Sequence, residues 1–190
     1  MKNKVAILVI LFSLLLMCLA VPAYAAQVPD GFAGVPWGAS RAQVKQILSE
    51  RGWKMVNDEP QRVASKGSFN GINAQLTFSF EGNGLVGGTV IMGVQPIKNI
   101  SASAYAYKNL VESLTKKYGP PSGTSEDNLT ANSGWSFVDT DTKDEYTILA
   151  MFTKYSSFMD PDYPANAELV GVTVCYSASS LAKRLKDKGL

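Results

Sequence analysis

The chain has 190 residues, a formal net charge of +2, no histidine, two cysteines and 46% apolar residues. That is enough apolar material for a packed core, and too balanced a composition for a disordered chain. Lack of histidine excludes Ser-His-Asp triads, Cys-His dyads and His-ligated zinc, and two cysteines cannot build a disulfide framework.

Residues 1–25 read as a secretory signal peptide. Lys2 and Lys4 form a basic start, Val5 to Ala20 is an apolar run broken only by Ser13, and Pro22 precedes the small-x-small cleavage site Ala23-Tyr24-Ala25. The competing reading is an uncleaved anchor, because the run approaches the ~17 residues a short span needs. The Ala-x-Ala triplet and the absence of basic residues just after it favour cleavage. Cys18 follows Met17, where a lipid-attachment site requires a small residue. The expected location is the periplasm or the extracellular space, with no membrane insertion after cleavage.

Removing 25 of the 190 residues leaves 165, and loss of Lys2 and Lys4 takes 18 basic side chains to 16, against 16 acidic ones. A charge near zero gives no long-range attraction to nucleic acid or anionic lipid. Cys175 becomes the only mature thiol. In an oxidising compartment it is either shielded or joins a second chain through an intermolecular disulfide.

The first helix is expected after Ser40, which can cap it and form a capping box with Gln43. Val44, Ile47 and Leu48 make its buried stripe, and Gly52 stands at its end. A short strand is expected at Arg62–Ser68. Ile72, Ala74, Leu76, Phe78 and Phe80 then alternate with polar residues, as a strand with one buried face does. Gly82-Asn83-Gly84 turns the chain into a further strand, where Val86, Val90 and Met92 continue the apolar face. A second helix is expected from a Ser103 cap, with Tyr107, Leu110, Val111, Leu114 and Tyr118 as its stripe and Gly119-Pro120 as its stop. Strands at Trp135–Val138 and Tyr146–Thr153 flank a polar turn. Val170, Val172, Val174 and Tyr176 form the buried set of the last strand, and a final helix covers Ser179–Lys188.

Leu85-Val-Gly-Gly-Thr-Val90 and Leu169-Val-Gly-Val-Thr-Val174 match at five of six positions, and each follows a glycine-ended helix. The order repeats, which reads as an internal duplication. The helices register at Gly52 and Gly119 and the strands at an offset of 84, so the second copy carries extra residues, expected around 120–133 and 155–167. The expected fold is α+β: two tandem units of a helix and an antiparallel sheet, 26–100 and 101–190, which can share one continuous sheet, with a C-terminal helix, all in one compact domain.

The run Gly34-Val-Pro-Trp-Gly-Ala-Ser40, followed by an amphipathic helix and Phe69-Asn70-Gly71, resembles a broad group of exported bacterial proteins of unknown function. The tandem layout is similar to the beta-lactamase-inhibitor-protein fold, and Val111–Pro120 resembles the helix of small outer-membrane assembly lipoproteins. Those inhibitors carry disulfides and those lipoproteins an acylated cysteine, which one mature thiol supplies in neither case. The resemblance implies an exported protein that acts by surface contact and not by catalysis.

Candidate chemistry is sparse. Trp37 and Trp53 flank the first helix and read as edge-of-core plugs, and Trp135 as core. Asp139–Glu145 superficially resembles a calcium loop, but Lys143 takes a ligand position and no glycine makes the sharp turn, so a solvated hairpin is expected. Asp160 and Asp162 flank Pro161 without a desolvating site, and Cys175 lacks a histidine partner. No metal, cofactor or catalytic group is expected. On the sheet face away from the helices, Leu85, Ile91, Leu149, Met151, Leu169 and Cys175 are expected among Gln75, Thr77, Thr147 and Thr173. Tyr155, Phe158 and Tyr163 lie in the loop beside them. Such a face is either covered by that loop or free for a partner. The expected function is an exported, non-catalytic protein-interaction module whose partner is an envelope or extracellular protein. Leu85, Ile91, Leu149, Met151, Tyr155 and Tyr163 would form its contact surface. A carrier of a small apolar ligand is the alternative, and a hydrolase a third class.

Overall fold

Period-2 alternation dominates the sequence, and strands dominate the fold. The computed structural model describes residues 27–69, 72–96, 100–127, 130–156 and 168–187. The proposed signal peptide, Asn70-Gly71 and the loop residues Phe158 and Tyr163 lie outside the described residues. A two-stranded hairpin, β1 (Gly31–Phe32) and β2 (Val35–Pro36), precedes helix α1 (Arg41–Glu50). Four strands follow: β3 (Lys54–Glu59), β4 (Arg62–Phe69), β5 (Ile72–Glu81) and β6 (Gly84–Pro96). Helix α2 (Ile100–Tyr118) leads to β7 (Gly123–Glu126), β8 (Ala131–Val138), β9 (Glu145–Ser156) and β10 (Glu168–Ala178), and helix α3 (Ser179–Asp187) ends the described chain. The fold is α+β.

Helix α1 forms as its sequence dictates. The Ser40 side chain accepts from the Gln43 backbone N–H, and Gln43 Oε1 accepts in return from Ser40 N at 2.8 Å. Val44 and Leu48 are buried, and Gly52, at φ +71°, ends the helix where a side chain would be strained. Helix α2 starts earlier than the expected Ser103 cap. Ser103 is 1% exposed inside the helix, with its hydroxyl donating to the Gly93 carbonyl. A serine within one turn of a helix start can serve either role, and here it anchors the helix to β6.

Eight strands form one antiparallel sheet in the order β3-β4-β5-β6-β10-β9-β8-β7. The order reads outward symmetrically from the central β6–β10 pair. In that pair Val90 lies opposite Val174, its counterpart in the sequence match, and Thr89–Cys175 and Ile91–Thr173 exchange places around it. A local two-fold axis normal to the sheet therefore passes between the two valines, and it leaves α1 and α2 on the same side. The extra residues of the second half follow from the registers. Gly52 and Gly119 are 67 apart, Ser65 and Ser133 68, Leu76 and Ala150 74, and Val90 and Val174 84. The added length thus sits in the β8–β9 turn and the β9–β10 connection. The expected loop around 120–133 instead contains β7 and the start of β8.

The main core lies on the helix side and draws on both halves: Val44, Leu48, Val63, Leu76, Phe78 and Val90 meet Leu114, Tyr118, Trp135, Ile148, Ala150 and Val174. A smaller cluster of Ala131, Phe152 and Val170 packs under Ile100 and Tyr107. Outside the core, Arg41 and Lys45 of α1 both pair with Asp58, tying the helix to the edge strand β3. The Lys45 hydrogen bond and then the Arg41 one hold this carboxyl below its ordinary range. A depressed folded-state pKa stabilises above the ordinary Asp value of ~4 and ceases to do so as pH falls through the folded value. The Asp58 side-chain carbon, followed by NMR, should therefore titrate below pH 3.8, and Asp58→Asn should flatten that acid limb of the stability curve.

Candidate functional site

The sheet face away from the helices consists of rows that cross the central strands. Gln75, Ile91, Thr173, Met151 and Asn132 form one row, and Thr77, Thr89, Cys175, Leu149 and Gly134 the next. Ile91, Met151 and Cys175 are half-buried, and Leu149 is 39% exposed because Gly134 beside it offers no side chain. Thr89 Oγ1 donates to Cys175 Sγ at 3.6 Å, so the thiol sits in a polar-apolar border. Cys175 lies away from the Val172–Val174 face, as strand parity requires.

One of the expected face residues is placed differently and another is covered. Leu85 is 0% exposed in the main core on the helix side. A bulge accounts for this: Ser79 pairs with Gly87 but Phe80 with Leu85, so Val86 drops out of register and the parity of β6 reverses. Leu85 is thus unavailable to a partner. Leu169 stays on the helix-distal parity, yet it is 0% exposed, and Thr173 is 6% exposed. The face is accordingly covered at its β10 start and accessible near Leu149. Tyr155 lies opposite Leu169 in β9, but its side chain and Tyr163 fall outside the described residues.

Among the described residues, concavities lie on the helix side in two places. One, of about 420 Å³, lies beside α1 and includes Trp37, Gln43, Gln46 and Glu50. Trp37 donates its Nε1–H to Pro29 O at 2.8 Å and stacks on Tyr146, so it plugs the edge of the core. The other, of about 570 Å³, is a cleft over the local two-fold axis. Val90, Met92 and Val174 form its floor, the β1–β2 hairpin one wall, and Leu110, Lys117 and Tyr118 of α2 the other.

Sequence reasoning missed this cleft because it missed the hairpin. Arg51 locks the hairpin to the end of α1, donating to the Ala33 carbonyl at 2.6 Å and to Gly34. Phe32 crosses from the hairpin onto the sheet, packing edge-on against Phe78 at 5.1 Å and tilted against Tyr176 at 5.5 Å. Phe-Ala-Gly-Val, with Ala33 and Gly34 both at positive φ, was the available signal. Within the cleft, burial and then the neighbouring Tyr118 phenol push the Tyr176 hydroxyl far above its ordinary value of 10.0, which keeps it a donor. Lys117 Nζ lies 4.9 Å above the Tyr118 ring.

Two carboxylates of the Asp139–Glu145 loop are engaged by the protein itself, one within the loop and one by α3. Asp139 Oδ1 accepts from the backbone N–H groups of Asp141 and Thr142, both at 2.8 Å, and these bonds hold its carboxyl below the usual range. Asp144, 5% exposed at its side chain, forms a two-pronged pair with Arg184 of α3. No group of three or more metal-ligating side chains occurs among the described residues, and no described helix is long and apolar enough to cross a membrane. Comparison of the chain with protein-family models, with curated proteins and with solved structures returns no match.

Proposed function

We propose that the protein is an exported, non-catalytic interaction module that presents the helix-free side of its sheet to an envelope or extracellular protein. The observation that carries this reading is the patch of Ile91, Met151, Cys175 and the 39%-exposed Leu149, framed by Thr77, Thr89 and Thr147. Apolar groups set in a rim of hydroxyls suit a reversible interface: the centre is desolvated on contact and the rim keeps its hydrogen bonds. A fully solvated face gains nothing from leucine and methionine at its centre. The signal-like start of the sequence supports export, and the matched halves support a duplicated unit.

Met151→Asp tests the reading. The side chain is half-buried at the face and not in the core, so the substitution should leave the circular dichroism spectrum and the urea midpoint nearly unchanged, within about 1 kcal/mol. It should abolish capture of the partner from the native envelope fraction by the immobilised protein. Unfolding of Met151→Asp would place the patch in the core, and undiminished capture would place the interface elsewhere. The second reading, a carrier of a small apolar ligand, is favoured by one observation, the cleft over the two-fold axis.

A further inference from the structure

The cleft over the axis has the dimensions and lining of a small-molecule site. Its volume of about 570 Å³ falls within the ~300–1,000 Å³ typical of such sites, and its floor of Val90, Met92 and Val174 is aliphatic. Its polar groups are unevenly distributed. On the α2 wall, Lys117 and Tyr118 stand together, with the Tyr176 hydroxyl directed at the Tyr118 one, which leaves an ammonium and one phenol proton at that end. Lys117 is exposed and makes its ring contact with Tyr118, but no ion pair with a described carboxylate. Asp30, at the entry to the β1–β2 hairpin, is the acidic group of the lining.

We infer that this cleft binds a compact amphiphile with a single carboxylate head and an aliphatic body, of medium-chain fatty-acid size. The inference rests on the carrier reading and names its ligand class. The head meets Lys117, which pairs with no described carboxylate, with a phenol hydroxyl beside it. The body lies over the valines and Met92, where each buried methylene contributes about 0.8 kcal/mol. A macromolecular segment fits less well, because the donors converge on one end of a concavity and do not line up along a sheet edge.

The cleft is a product of asymmetry between the halves. Helix α1 has 10 residues and α2 has 19, so the longer helix lies over β9, β10 and β6 while the hairpin packs Phe32 onto Phe78 and Tyr176. The gap between them falls on the axis. The same asymmetry leaves a trace in two corresponding serines. Ser133, under α2, is 2.9 Å from the Tyr107 hydroxyl, whereas the buried Ser65 hydroxyl finds no partner under the shorter α1.

The test is calorimetric titration of the purified protein with sodium decanoate below its micelle concentration, with 1-decanol as the uncharged control. Lys117→Met keeps the stem and removes the charge. It should weaken decanoate at least tenfold and leave decanol within twofold. Leu110→Trp narrows the cleft from its half-buried wall and should weaken both. Met151→Asp, on the opposite face of the sheet, should change neither, so this site and the proposed partner surface fail independently. No decanoate binding to the wild-type protein overturns the inference. So does decanoate binding that is indifferent to Lys117→Met, or that is lost in Met151→Asp.

Discussion

Gly88→Ala is expected to cost about 2–3 kcal/mol, far more than one methyl group on an open strand. A Cβ at this position would lie 2.0 Å from Phe32 Cδ1 and 2.2 Å from Cε1, so either the ring or the strand must move. The ring has nowhere to go. It is 1% exposed, set edge-on against Phe78 and tilted against Tyr176, and its backbone belongs to a hairpin clamped by Arg51. Urea denaturation measures the loss, and Gly123→Ala is the control, because a Cβ there meets nothing within 4 Å. Phe32→Ala alone should cost about 3–5 kcal/mol. The double variant should be little worse than Phe32→Ala, since the truncated ring no longer collides with the new methyl. Strict additivity of the two losses would show that the collision is not what makes Gly88 necessary.

This contact also marks the limit of what could be read from the chain. Helix α1 was legible down to its cap, because Ser40 and Gln43 act locally and Val44 and Leu48 obey one period. The faces of β5 and β10 were legible for the same reason: alternation at Leu76, Phe78, Val172 and Val174 fixes which side is buried. Parity, however, carries only until a bulge. One extra residue at Val86 moved Leu85 from the expected contact face into the core, and nothing in the local sequence announces that slip. Edge strands β3 and β7 were illegible because they bury little. Gly123–Glu126 is exposed throughout and is held by pairing with β8, a non-local cause. The central half of the candidate face was legible at Ile91, Leu149 and Met151. The cleft was not, since it arises where a hairpin and a helix distant in sequence leave a gap.

Trp135→Phe is expected to destabilise by about 2–4 kcal/mol through two additive losses. The indole is 2% exposed in the main core, and its Nε1–H donates to the Gly119 carbonyl at 2.9 Å. Phenylalanine fills less of the space, and it leaves a buried carbonyl at the end of α2 without that donor. The matching position in the first half shows why the volume matters there. Gly67 occupies it, and Trp53, arriving from the end of α1, lies directly on Gly67, where a Cβ would come within 2.6 Å of the ring. Each half thus places one indole between helix end and sheet, supplied from the strand in one and from the helix end in the other. Trp53 is only partly buried, so Trp53→Phe should cost about 1 kcal/mol. The consequence of Trp135→Phe should reach the cleft, because Lys117 and Tyr118 immediately precede the released carbonyl. Amide exchange at the end of α2 should accelerate, and decanoate should bind more weakly while Met151-face contacts persist. Equal costs for Trp53→Phe and Trp135→Phe would mean that the hydrogen bond to Gly119 contributes nothing, and unchanged exchange at Lys117 and Tyr118 would separate the indole from the cleft wall.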